Sequence, residues 1–119
     1  MAKLVAHGTE LYRFFSANRG GLMSVMSDGV TLIRRVGGTW KVYSRKKPEV
    51  SMDVWKASVE ARYDKIAPWK KQIKSLPTLQ TLDKWSRDCV CSTPTGHMVE
   101  PDGIGPDGVP SWLVILGVI

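Results

Sequence analysis

The sequence predicts an α+β fold, in which an N-terminal antiparallel four-stranded β-meander is covered by two or three C-terminal helices and a long Gly/Pro loop. Residues 22–45 alternate β-prone runs with an Asp-Gly pair at position 28 and a Gly-Gly pair at position 37. Such pairs join antiparallel strands, because glycine reaches positive φ without steric cost. Residues 51–66 repeat apolar side chains every three or four positions, which is the period of an amphipathic helix.

Four strands are expected, at about residues 9–14, 22–27, 30–36 and 39–45. Both glycine-containing turns between them fit the type I′ geometry, which needs positive φ at two central residues. The third strand carries Arg34 and Arg35 in succession, and its pattern leaves open which of them faces solvent.

The alternation in the fourth strand predicts how the sheet is covered. Trp40 and Val42 alternate with Lys41, Tyr43 and Arg45. Because successive strand side chains point to opposite faces, we expect one apolar, buried face and one basic, solvated face. The helices should lie on the apolar face.

Two helices are clear from their caps and periodicity. Ser51 is a predicted N-cap, and Pro68 should end the helix that follows. Its apolar face is expected to hold Met52, Trp55, Val59, Tyr63 and Ile66, and its opposite face Lys56, Glu60, Asp64 and Lys65. Residues 69–77 allow one or two helical turns, and Thr78 is the predicted N-cap of the second helix, whose apolar stripe includes Leu82 and Cys89.

The remaining sequence predicts a loop and a docked tail within one domain, residues 1–119. The sheet should occupy residues 1–48, the helices 49–91, and the loop and apolar tail 92–119. Four prolines and four glycines fall between residues 92 and 111, which disfavours regular structure there. The apolar residues 112–119 fit either a short helix or an edge strand.

Composition points to a basic protein that works in a reducing, cytoplasmic setting. The net charge is +6, and residues 1–47 carry nine Lys/Arg against two acidic residues. The two cysteines are only two positions apart, a poor spacing for a disulfide. The N-terminus has no apolar run typical of a signal peptide, and the apolar tail is shorter than a membrane span, so we expect no membrane insertion.

The basic residues of the predicted sheet and of the segment after the first helix are the candidate binding site. Ten residues make up this set: Arg34, Arg35, Lys41, Tyr43, Arg45, Lys46, Lys47, Lys70, Lys71 and Lys74. A basic face with an aromatic residue fits nucleic acid or an acidic host protein, and a solvated face is the simpler alternative. No RNP motif, KH loop or paired Cys/His finger is present.

A weaker candidate is a zinc site formed by Cys91, His97 and Asp107. Zinc prefers four thiolate, imidazole or carboxylate ligands, and no second Cys pair completes this set. The alternative is that Cys89 is a buried apolar residue and His97 an ordinary loop residue.

No GxSxG, HExxH, Walker or GxGxxG pattern occurs, so we expect neither an enzyme nor a cofactor.

The segments VEPDG and PSWL in the tail, with HGTELYRF, SVMSDGVTLIRR and GTWKVYSRKKP in the first half, resemble short uncharacterised proteins of bacteria and their phages. Their tail looks like a zinc loop with Cys or His at four positions. Here Cys91 keeps the first ligand, His97 stands where a Cys is expected, and Gly105 and Asp107 replace a Cys and a His.

The resemblance implies a phage or mobile-element origin and no particular activity. We therefore expect a small binding protein, similar in size to counter-defence proteins such as anti-CRISPRs, that engages nucleic acid or an acidic host protein. The alternative is a structural zinc-loop protein with a degenerate metal site. The oligomeric state stays open.

Overall fold

The computed structural model describes residues 8–118. The elements in chain order are β1 (Glu10–Ser16), β2 (Gly21–Met26), β3 (Val30–Arg35), β4 (Lys41–Arg45), α1 (Met52–Asp64), α2 (Pro68–Gln72), α3 (Leu79–Asp88), β5 (Cys91–Ser92), β6 (Met98–Val99) and α4 (Trp112–Ile115). The predicted α+β fold is confirmed: β1 to β4 form an antiparallel meander in sequence order, and helices follow it. The prediction that the N-terminus lacks a signal peptide concerns residues that lie mostly outside the described range.

The turn between β2 and β3 differs in type from the prediction. Gly29 has a φ of +90°, but within residues 8–118 the only non-glycine residue with positive φ is Cys89, so Asp28 does not take the conformation that a type I′ turn requires. Asp28 instead accepts a hydrogen bond from the Val30 N–H at 3.1 Å, and the Gly29 N–H donates to the Met26 carbonyl at 3.2 Å. The side chain of Asp28 thus helps to close a three-residue connection.

The meander has two covered faces, and the prediction of one buried and one wet face is wrong. All six residues of β2 are buried, so both sides of this inner strand are shielded from solvent. Residues paired across the strands share a face, which defines the two sides. The core face bears Phe15, Leu22 and Leu32, and the groove face bears Phe14 and Met23.

The core face packs against the C-terminal half of the chain. Phe15, Leu22 and Leu32 belong to one buried cluster with Trp112 and Leu113 of α4. The same cluster includes Ile73, Leu82 and Cys91. The Phe15 and Trp112 rings meet edge to face, with their centroids 5.2 Å apart. Apolar burial of this kind is the main stabilising term in a small domain, so the C-terminal segments and the sheet stabilise each other.

A β-bulge in β4 overturns the predicted alternation of that strand. Thr31 pairs with Ser44 and Leu32 pairs with Val42, so Tyr43 is an extra residue on β4. Such an insertion reverses the facing of every residue beyond it. Lys41 pairs with Ile33 on the groove face, and Arg45 pairs with Val30 on the core face. Val42, predicted to be buried, is 43% exposed.

The two predicted caps are confirmed. The Ser51 hydroxyl accepts from the Val54 N–H at 3.2 Å, and the Thr78 hydroxyl accepts from the Thr81 N–H at 3.1 Å. Each bond satisfies an N–H that has no partner within its helix. Helix α3 ends at Cys89, which has a φ of +59° and is exposed, so the expectation that Cys89 is buried is wrong.

The segment predicted as an irregular loop has short regular parts. Cys91 pairs with Val99 and Ser92 with Met98 in the β5–β6 ladder, and Ile104 forms an isolated bridge to Pro110. The tail, left open between helix and strand, forms α4, with Ser111 as its N-cap. These backbone bonds let a glycine- and proline-rich stretch cover the core.

Candidate functional site

A groove of about 560 Å³ lies between α1 and the groove face. Its walls come from α1 on one side, through Trp55 and Val59, and from the sheet on the other, through Met23, Val25 and Thr31. These α1 residues follow the predicted apolar stripe, yet only Val59 on the helix is buried. The stripe therefore faces the sheet without closing the space between them.

Aromatic contacts hold α1 at one end of the groove. The Tyr63 ring lies 4.5 Å from the Tyr12 ring and 6.1 Å from the Phe14 ring, centroid to centroid. The Lys71 ammonium lies 4.5 Å from the Tyr63 centroid, within the range of a cation–π contact. A cluster of this kind fixes the C-terminal end of the helix on β1. Trp55, two turns earlier, forms no such ring pair among the described residues.

A second aromatic–cation pair is part of the groove lining. Arg19, in the β1–β2 turn, donates through Nε to the Tyr43 hydroxyl at 2.6 Å, and its guanidinium carbon lies 5.1 Å from the Tyr43 centroid. Arg35 donates through Nε to the Arg19 carbonyl at 3.1 Å and so braces the turn. Tyr43 is 43% exposed. The bulge in β4 thus places an exposed phenol ring beside the groove.

The charge of the groove has one sign. Its lining contains four basic residues, Arg19, Arg62, Lys65 and Lys70, and within residues 8–118 it contains no Asp or Glu. Glu60 and Asp64, at this end of α1, are not part of the lining. Burial first, and then the charges of these two acids and the neighbouring Tyr63, raise the pKa of Tyr12, which is not part of the lining either. The groove therefore presents a positive potential beside aromatic rings.

The structure divides the predicted basic set between two sides of the sheet. Arg35, Lys41 and Tyr43 lie on the groove side, with Lys70 in the groove lining and Lys71 on the Tyr63 ring. Arg34 and Arg45 are in register with core-face residues instead. The expectation of a single basic face, with Lys41 and Arg45 side by side, is therefore wrong.

The remaining members of the set have separate surroundings. Lys46 donates through Nζ to the carbonyls of Val50 at 2.7 Å and Lys47 at 3.1 Å, so its ammonium is engaged in local structure. Arg34 donates through Nε to the Gly38 carbonyl at 3.3 Å. Lys47 and Lys74 are exposed and lie outside the groove lining.

Three groove residues were missed in the sequence. Arg62 lies seven positions after Trp55, so the helical period places it on the groove-facing side. Lys65, assigned to the opposite face, caps α1 beyond its last helical residue and lines the groove. Arg19 sits in a turn, where no periodicity indicates a direction.

The three candidate metal ligands are not brought together. His97 Nε2 and Asp107 Oδ2 are 3.8 Å apart, whereas Cys91 is fully buried in the core cluster and its thiol donates to the Ser92 carbonyl at 3.3 Å. Across residues 8–118, no three His, Cys, Asp or Glu side chains form a group that would hold a metal ion.

Asp107 has a structural place in this loop. Its Oδ2 accepts from the Thr95 hydroxyl at 2.6 Å and its Oδ1 accepts from the Val109 N–H at 3.2 Å. Thr95 in turn shares a hydrogen bond of 3.1 Å with Thr93, which accepts from the His97 N–H. The hydrogen bond from Thr95, followed by the bond from Val109 and the charge of His97, lowers the pKa of Asp107, while burial opposes this effect. The carboxylate thus ties the two sides of the loop together.

In the described part of the chain, no helix combines the length and the apolar character that crossing a membrane would need. Comparison with known proteins gave no match to any protein-family description, to any curated protein or to any solved structure. The phage or mobile-element origin that the tail resemblance implies stays a prediction.

Proposed function

We propose that this protein binds single-stranded nucleic acid along the groove face. The observation that supports the proposal is the groove lining, which combines four basic residues with the aromatic side chains of Phe14, Tyr43, Trp55 and Tyr63 and, in the described part of the chain, has no carboxylate. Proteins that bind single strands use this combination: cations follow the phosphates, and rings stack on unpaired bases.

The geometry favours a single strand over a duplex. Base pairs in a duplex have both ring faces covered by stacking, so the rings at the groove have no base face to contact. The cations of the lining come from three separate segments: the β1–β2 turn, the C-terminal end of α1, and α2. A flexible backbone reaches such separate cations by adjusting its torsion angles.

The proposal narrows the earlier partner prediction, which allowed either nucleic acid or an acidic host protein. An acidic protein surface would satisfy the cations and leave the exposed ring of Tyr43 and the half-buried ring of Trp55 without a role. The proposed function therefore uses Arg35, Lys41 and Tyr43 from the predicted set, together with the groove lining.

The test is fluorescence anisotropy with a labelled 20-nucleotide single strand of mixed sequence. We expect saturable binding that weakens steeply with salt, weaker binding of the matched duplex, and little competition from poly-glutamate at equal charge. No binding at low salt would contradict the proposal. Equal competition by poly-glutamate would instead indicate an acidic protein partner and would also overturn it.

A further inference from the structure

We infer that the groove between α1 and the sheet is a pocket for one unpaired nucleotide of the bound strand, with the base inside and its phosphate at the basic rim. This inference rests on the proposed function and adds to it the place where a base is held. The groove volume of about 560 Å³ is within the range of small-ligand pockets, roughly 300–1,000 Å³.

The wall that would contact the base is Trp55. Its side chain is half-buried and lines the groove, and it stacks on no other aromatic residue among those described. By contrast, Tyr63 is already in contact with Tyr12 and Phe14. A tryptophan that is held by its helix but has no ring partner offers a flat surface on which a base can stack.

The floor opposite Trp55 supplies polar groups as well as apolar contact. Thr31 and Ser44 are paired in the β3–β4 register and both line the groove, next to Val25. Hydroxyl groups donate and accept hydrogen bonds, so they suit the mixed donors and acceptors at the edge of a base. A purely apolar ligand would leave these hydroxyls without partners.

The basic residues at the rim of the groove would bind the phosphate. Arg62 and Lys65 are exposed at the C-terminal end of α1, and Lys70 approaches from α2. Arg19 also lines the groove, from the β1–β2 turn, and its Nε donates to the Tyr43 hydroxyl. Because the lining has four basic residues and no carboxylate among the described residues, its own charges attract an anion at the rim. The aromatic wall, the hydroxyl floor and the cationic rim thus match the face of a base, its polar edge and the phosphate.

The direct test uses the unmodified protein labelled with ¹⁵N, titrated with thymidine 5′-monophosphate and, separately, with inorganic phosphate. We expect the nucleotide to shift the indole N–H of Trp55 and the amides of Thr31 and Ser44, and not the indole of the core residue Trp112. Phosphate alone should shift only rim residues. Absence of nucleotide-specific shifts at Trp55 at millimolar concentration would overturn the inference.

The second test distinguishes the contribution of the bases to the affinity from that of the sugar–phosphate backbone. The protein should bind a single-stranded oligonucleotide about tenfold or more tightly than an abasic strand of equal length, because stacking is removed with the bases. Trp55→Ala should bring this ratio close to one. Thr31→Trp, which fills the groove from the sheet side, should do the same, with circular dichroism confirming that both variants fold.

The outcomes distinguish this inference from the proposed function. Equal affinity for intact and abasic strands in the unmodified protein would overturn the nucleotide pocket and leave backbone binding intact. Binding of neither strand would contradict both. A ratio that persists in both folded variants would place base contacts outside the groove and would also overturn the inference.

Discussion

Removing the groove cations should weaken the binding of a single strand and make that binding less dependent on salt concentration. In the triple variant Arg62→Ala, Lys65→Ala, Lys70→Ala, three of the four basic residues of the groove lining are lost. Each phosphate contact on a single strand contributes about 0.7 to the slope of log K against log salt. If each residue neutralises one phosphate, the slope should become shallower by about 2 and the affinity near 0.1 M salt should fall roughly 100-fold.

The matched control is Arg45→Ala, Lys74→Ala, Lys84→Ala, which changes the net charge equally at exposed positions outside the groove. We expect this variant to keep nearly all of the slope, since none of the three side chains lines the groove in which the phosphates are proposed to bind. Anisotropy titrations at four salt concentrations measure both slopes. A groove variant with the slope of the unmodified protein, or a control that loses as much, would refute the reasoning.

Three further predictions concern stability. Leu113→Ala removes a side chain with no exposed surface from the core cluster and should cost about 2–5 kcal/mol in urea unfolding; a loss below about 1 kcal/mol would contradict the assigned packing. Gly37→Ala should cost about 1–2 kcal/mol, because the residue has a φ of +75° and a Cβ would lie 2.8 Å from Leu79 Cδ1; an unchanged urea midpoint would contradict it. The hydrogen bond from Thr95 lowers the pKa of Asp107, so the stabilisation by its carboxylate is present above the ordinary carboxyl range and is lost as pH falls through the lowered pKa. Asp107→Asn should therefore lower Tm at pH 7, and the difference should shrink as pH falls below the ordinary carboxyl range; a constant difference would contradict the assignment.

The sheet and helices could be predicted because their signals are local. Each signal acts within a few residues and fixes one strand, one turn or one helix end. These signals are the alternation of apolar and polar residues in strands, the glycine turns, and the N-cap hydroxyls of Ser51 and Thr78. The distribution of charge on the sheet could not be predicted, because the one inserted residue, Tyr43, reverses the face on which the following side chains lie. No local pattern in residues 39–45 indicates that bulge, which depends on pairing with β3.

The groove was also beyond the reach of sequence patterns. The apolar stripe of α1 predicted correctly that Val59 and Tyr63 face the sheet, but placed Lys65 on the opposite face. It did not predict a space between helix and sheet that is lined by Trp55 and Thr31. That distance depends on contacts between separate elements, such as the Tyr63 ring on Tyr12. The position of Arg62 on the groove side could have been predicted, since its spacing from Trp55 follows the helical period.

The most direct measurement of the central claim is photo-crosslinking with a 4-thiouridine-containing single strand, followed by mass spectrometry of the digested complex. The account predicts cross-links to peptides that contain Tyr43 and Trp55, on the two sides of the groove. Cross-links confined to α3 or to the core-face positions Arg34 and Arg45 would contradict it.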